Sequence, residues 1–230
     1  MKEIFADSVF FSVVVSLLGY ELGVFLKKKT GLSIFNPLLI AIVTVIAVLL
    51  LLRIDYGTYE TGGVYLDYFL TPSTVALAVP LYRQIRILKK YSVAISLGIV
   101  SGVLTSLLST LALAAIFHMT HIQYVTLLPK SITTAIGMGM SEEFDGMVTI
   151  TVAVIVVTGI IGNMVGEFVC KVFHIEEKIS VGLALGTSSH AIGTAKAMEL
   201  GEVEGAMSSL SIVAAGLLTV LGINLFALIY

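Results

Sequence analysis

Long apolar runs alternate with short stretches in which hydroxyls, glycines and charges crowd together. Ile4–Leu26, Phe35–Leu52, Val93–Phe117, Val148–Val169 and Met207–Tyr230 are nearly unbroken hydrophobic sequence. A helix rises about 1.5 Å per residue, so about 20 apolar residues cross a hydrocarbon core of about 30 Å. A sixth stretch, Tyr65–Ile85, is also apolar but carries Asp67, Pro72 and Pro80. The pattern predicts an all-α polytopic membrane protein with about six spans. Lys2 followed by an apolar run imitates a signal peptide. The run outlasts an ordinary signal core and ends in Lys27, Lys28 and Lys29 where a small-residue cleavage site would stand, so it reads as an uncleaved span.

The polar stretches carry the information about function. Gly182–Gly205 reads GLALGTSSHAIGTAKAMELGEVEG, with Thr187, Ser188, Ser189, His190, Thr194 and Lys196 packed among glycines and alanines. Hydrogen-bonding side chains at membrane depth are tolerated where they face protein or a water-filled cavity. A polar loop outside the membrane is the plainer alternative. The interleaved Leu183, Ala184, Leu185, Ala191 and Ile192 favour a re-entrant hairpin or broken helix that carries a binding site. Leu127–Met147 has the same character, with Ser131, Thr133 and Thr134, two glycines, and the carboxylates Glu142 and Glu143. In Tyr65–Ile85 each proline removes a backbone donor and disturbs the preceding turn. This segment is either a kinked packing helix or a discontinuous one whose Pro72, Ser73 and Thr74 line a substrate path.

Two of these stretches resemble each other. Thr134-Ala-Ile-Gly and His190-Ala-Ile-Gly each follow hydroxyl residues, precede an acidic-Gly pair, and lead into a long apolar helix. One helix carries Asn163 and Glu167, the other Asn224. An internal repeat over 125–172 and 178–230 is expected. Topology suggests its sense. Cytoplasmic loops are enriched in Lys and Arg, which places Lys27–Lys29 and the cluster Arg83, Arg86, Lys89 and Lys90 inside. Lys171 and Lys178 also fall inside only if both hydroxyl-rich stretches dip in and return, from opposite faces. That is the inverted-repeat arrangement of many secondary transporters.

Composition narrows the class further. Charged residues are 12% of the 230 and mean hydropathy is +1.05, against about 25% charged for soluble domains. No basic tract points to nucleic acid. The one cysteine, Cys170, lies in an apolar run and reads as a core thiol. His118 and His121 have no converging partners, so no metal is expected, and no nucleophile–base pair or phosphate loop suggests an enzyme or a cofactor. Val93–Phe117 is rich in Ser, Thr and Gly, which suits close helix packing more than chemistry.

Three motifs carry a family resemblance. Tyr56–Gln84 (YGTYETGGVYLDYFLTPSTVALAVPLYRQ), Ser131–Glu143 (SITTAIGMGMSEE) and Gly186–Ala197 (GTSSHAIGTAKA) are similar, in order, to those of the LrgB/CidB family. These are bacterial antiholin-like membrane proteins, usually paired with a small holin-like LrgA/CidA partner, and they include the plastid glycolate/glycerate transporter. The resemblance implies transport of small monocarboxylates such as pyruvate, glycolate or glycerate, or control of murein hydrolases and lysis.

Both function classes stay open on the sequence. A transporter in the cytoplasmic (inner) membrane would hold its anion at Thr187–His190 and Thr194, with Ser131, Thr133 and Thr134 opposite. Pro72, Ser73 and Thr74 would line the path. Candidate charge-coupling residues are Arg83, Lys196, Glu142, Glu143, Glu167, Asn163 and Asn224. His190 either titrates near neutral pH and couples protons or packs as a hydrogen-bonded core residue. Lys196 pairs either with the substrate or with Glu199. Residues 1–55 are expected to be a two-helix scaffold through which a homodimer forms, and 56–230 the transporting unit.

Overall fold

The computed structural model describes residues 9–230; the expected start of the first span at Ile4 lies outside them. Among the described residues all regular structure is helical. The chain divides at Ala76–Leu77 into two compact units.

The first unit holds α1 (Val9–Thr30), α2 (Pro37–Leu52), α3 (Tyr56–Asp67) and α4 (Leu70–Ala76). Asn36 starts α2 by accepting from the amides of Leu38 and Leu39, with Pro37 at the first helical position where no amide is needed. α1 and α2 approach closely because Gly19 faces Ala41 and Gly23 faces Pro37; a methyl group at Gly23 would lie 2.6 Å from the Pro37 Cα. α3 joins them through the Tyr59 hydroxyl, 2.8 Å from Ser16 Oγ. Helical turns end at Asp67 and Ala76, before the second unit begins.

The second unit opens with α5 (Ala78–Arg83) and α6 (Ile85–Lys90). It continues with α7 (Ser92–Ile116), α8 (His121–Leu127), α9 (Thr134–Glu143), α10 (Val148–Val172), α11 (Lys178–Leu200) and α12 (Glu202–Phe226). Its core joins Ile95, Ile99, Val103 and Leu107 of α7 to Leu183, Met207, Ala215 and Ile223. Among the described residues five helical stretches are long and apolar enough to cross a membrane, within α1, α7, α10 and α12 and over Tyr56–Arg83 taken as one run, and the shorter α2 is also apolar. The protein is a multi-pass, all-α membrane protein.

α11 is not one straight helix. Ser189 (φ −136°, ψ 16°) and His190 (φ 41°, ψ −135°) leave the helical region. Before the break, Gly182 packs on Glu204 and Met207, and Gly186 on Ser208 and Ser211, so this half runs parallel to α12. After it, Met198 packs on Gly205 and Thr194 Oγ1 lies 2.7 Å from Ser208 Oγ, so this half runs antiparallel to α12. The two halves therefore fold back on each other, and Gly193 comes against the Leu185 carbonyl. α11 is a re-entrant hairpin with its tip at Ser189–His190.

α8 and α9 make a second hairpin around Leu128–Thr133. Gly137 of α9 returns against Pro129 and also meets Ile155 of α10. Ser141 Oγ receives a hydrogen bond from Thr151 Oγ1 at 2.8 Å, and Thr151 is also tied to the Thr126 carbonyl at 2.9 Å. One common displacement along the sequence converts the pairs Thr126–Thr151 and Pro129–Gly137 into Gly182–Met207 and Leu185–Gly193. All four are observed contacts.

The hairpins enter from opposite ends of α7. Gly98 faces Leu183 and Gly102 faces Thr187, so the α11 hairpin enters beside the start of α7. Ser106 meets Ser131, one turn further along. The α8–α9 hairpin begins at the far end, where the Tyr124 hydroxyl donates to the Phe226 carbonyl. There Tyr230 donates to the carbonyls of Ala114 and Met119, at 3.0 and 2.8 Å. Arg86, Lys89 and Lys90 directly precede α7, and Lys171 and Lys178 flank the link between α10 and α11. All five therefore share the end at which α7 starts, called here the basic end.

This layout predicts a labelling result. In a Cys170→Ser background, single cysteines at Met119 and at Lys178 are expected to react with a membrane-impermeant maleimide from opposite sides. Reaction from one side only would contradict opposed hairpins.

Candidate functional site

A break in the middle of a membrane protein exposes backbone groups that lipid cannot satisfy. Here glycines let neighbouring helices close over it. A Cβ at Gly162 of α10 would fall on Ser189 Oγ, one at Gly159 would meet the His190 ring, and one at Gly102 of α7 would meet Thr187. His190 completes the clasp. A carbonyl only accepts, so the ring Nε2–H donates to the Ile155 carbonyl at 3.0 Å, while Thr194 Oγ1 donates to the His190 carbonyl at 2.9 Å. A positive φ is uncommon for a non-glycine residue and persists where the surroundings over-determine it.

On one side of this clasp lies a cavity of about 910 Å³ within the second unit. Its walls are α7 from Ala94 to Ser109, α10 from Thr158 to Cys170, and the first half of α11 from Ser180 to Ser189. Lys130 and Ser131, from the tip of the α8–α9 hairpin, form its floor. The lining runs from Ala94, Cys170 and Ser180 near the basic end to Ser109, Thr158 and Ser189 beside the two tips.

Hydrogen-bond directions divide this lining into two kinds of surface. Ser101 donates to the Gly98 carbonyl, Thr105 to Ser101, and Ser109 to Ser106. Thr187 donates to Leu183 and Ser188 to Ala184. Ser189 Oγ lies 3.0 Å from Ser188 Oγ, whose own proton is already placed, so Ser189 is the donor. These are the intrahelical back-bonds typical of Ser and Thr, and they leave oxygen lone pairs facing the cavity. At the floor the Lys130 ammonium donates to Ser106 Oγ at 3.1 Å and Ser131 Oγ at 3.2 Å.

The expected site residues separate accordingly. Thr187, Ser188, Ser189 and Ser131 line the cavity. His190 and Thr194 are buried on the opposite side of the tip, against α10 and α12. Thr133 and Thr134, half-buried at the start of α9, are not part of the lining. Pro72, Ser73 and Thr74 are exposed on α4 of the first unit, with Thr74 bonded to the Leu70 carbonyl. Arg83 lies 3.8 Å from Glu202. Lys196 pairs with Glu167 at 2.8 Å and with Glu199 at 3.6 Å. Glu142 and Glu143 are exposed. Asn163 donates to the Ile192 carbonyl at 2.8 Å, and Asn224 to the Val220 carbonyl within α12.

Sequence reasoning passed over Lys130 and the hydroxyls of α7. The signal for Lys130 was present: a lysine inside a hydroxyl-rich break between apolar helices, where ionisable residues are rare and face protein or a cavity. The α7 hydroxyls read as a packing surface, yet Ser101, Thr105, Ser106 and Ser109 line the cavity.

Gly162 tests the clasp. Gly162→Ala is expected to destabilise the detergent-solubilised protein by about 1–3 kcal/mol, the usual cost of overpacking. Gly139→Ala, where a Cβ meets open space, is expected to be neutral or slightly stabilising, since alanine favours helix by up to ~1 kcal/mol. Thermal unfolding of the two variants checks the difference.

Comparison with known proteins places this geometry in a family. The model of the LrgB-like family matches residues 16–229. The Bacillus subtilis antiholin-like protein LrgB is 40% identical over 220 residues, covering 95% of both chains. The antiholin-like protein LrgB of Bacillus cereus is 37% identical over 218 residues, covering 94% of this chain and 95% of its own, and that of Bacillus anthracis matches to the same extent. No solved structure matches. With the family model spanning both hairpins and nearly the whole chain, this protein belongs to the LrgB family.

Proposed function

We propose that the protein is a secondary transporter of small monocarboxylates, of the pyruvate, glycolate or glycerate type, in the cytoplasmic membrane. One observation carries the reading. Two re-entrant hairpins enter from opposite ends and bring their polar tips to adjacent levels of α7, beside a cavity lined by both of them. Alternating access needs a site near the middle of the membrane that two opposed gates can expose in turn. The positive-inside rule puts the basic end on the cytoplasmic side. A static scaffold has no need of broken helices whose backbone must be shielded by three glycines.

A second reading has its own support. The relatives are named antiholin-like, and a membrane protein that modulates murein hydrolase activity with a small holin-like partner would carry such a name. The two readings differ in what the chain does alone. Purified protein in liposomes is expected to take up radiolabelled pyruvate, glycolate or glycerate saturably, with different rates for D- and L-glycerate. Uptake no faster than in protein-free liposomes, for all three acids, would overturn the transporter reading and favour the partner-dependent one.

A further inference from the structure

We infer that Lys130, with Ser106 and Ser131, is the carboxylate anchor of the cavity and restricts it to singly charged acids. The inference deepens the transporter reading and rests on it for the identity of the ligand.

Charge comes first. Lys130 is the one Lys, Arg, Asp or Glu among the residues that line the cavity. α7, which faces it, carries no ionisable residue at all. The carboxylates of neighbouring helices are engaged or distant: Glu167 is held by Lys171 at 2.7 Å and Lys196 at 2.8 Å, and Glu142 and Glu143 are exposed on α9. Among the described residues no carboxylate pairs with Lys130. A partly buried ammonium stabilised only by two neutral hydroxyls lacks a countercharge, and an anion supplies it.

Donor counting points the same way. An ammonium has three N–H donors, and Lys130 directs two of them to Ser106 and Ser131. The two serine oxygens lie 3.0 Å apart, so one serine donates to the other. That leaves one N–H and one O–H unassigned on neighbouring atoms, matched to the two oxygens of a single carboxylate. Six other lining hydroxyls have already donated, to backbone carbonyls or to each other. They can accept from a ligand hydroxyl but cannot hold an anion. A second carboxylate would meet no further cation in the lining, so dianions are disfavoured.

The test is equilibrium binding of radiolabelled pyruvate and glycolate to the purified full chain, alongside liposome uptake. Lys130→Gln is expected to weaken binding tenfold to a hundredfold, since a hydrogen bond to a charged group is worth about 1.5–3 kcal/mol and each ~1.4 kcal/mol is a factor of ten. Ser131→Ala and Ser106→Ala are expected to weaken it by about tenfold, Lys130→Arg by less than Lys130→Gln, and Lys171→Gln not at all. Malonate is expected to displace the label far less well than pyruvate. Wild-type affinity in Lys130→Gln, or in Ser131→Ala should the lysine variant not fold, would overturn the anchor while leaving transport intact. Binding that Lys130→Gln abolishes, without any uptake by the wild type, would uphold the anchor and overturn transport. If the wild type neither binds nor transports these acids, both fall.

Discussion

Unsatisfied backbone at membrane depth is the constraint on which the second unit depends. Ser189 and His190 leave the helical region in the middle of the unit, and lipid can offer their neighbours no hydrogen bonds. The break therefore has to be enclosed by protein. Gly102, Gly159 and Gly162 allow α7 and α10 to approach within van der Waals contact of it, and the His190 ring fixes the tip to the Ile155 carbonyl. The same enclosure has a second consequence. Helices that must pack on a break with small residues cannot fill the space beside it, and the cavity lies there.

The two hairpins solve one packing problem twice with different chemistry. Around the α8–α9 hairpin the close contacts are hydroxyl bonds, Thr126 to Thr151 and Thr151 to Ser141. Around the α11 hairpin glycines are set against α12, Gly182 on Met207 and Gly186 on Ser211, with a single hydroxyl contact from Thr194 to Ser208. The cavity opens along the glycine-faced hairpin. Its floor is the hydroxyl-tied one.

The spans and the break were legible because each follows from a local rule. Apolar length gives α7 and α10 closely, while α12 (Glu202–Phe226) starts a turn before the expected Met207, and a cluster of Ser, Gly and His between apolar runs marks the α11 tip. What each side chain faces was not legible, since that depends on the azimuth of helices that pack on all sides. His190 and Thr194 share a motif with Ser188 and Ser189, yet the fold-back of the chain sends the first pair toward α10 and α12 and the second into the cavity. Arg83 and Lys196 read as candidate charges, and tertiary contacts with Glu202 and Glu167 decide their partners. Lys130 was hidden because a lysine beside a proline also fits an ordinary loop.

The meeting of the hairpin tip with the middle of α7 is the claim from which the others descend. A disulfide tests it most directly. Ser106 Oγ and Ser131 Oγ lie 3.0 Å apart, so cysteines at both positions, in a Cys170→Ser background, are placed for a bond that requires Cβ atoms about 3.5–4.5 Å apart. The account predicts that the double variant forms an intramolecular disulfide in native membranes on mild oxidation, seen as loss of both thiols to a maleimide label and their return on reduction. Two thiols that stay reactive after oxidation would mean that the α8–α9 segment does not turn back at mid-depth.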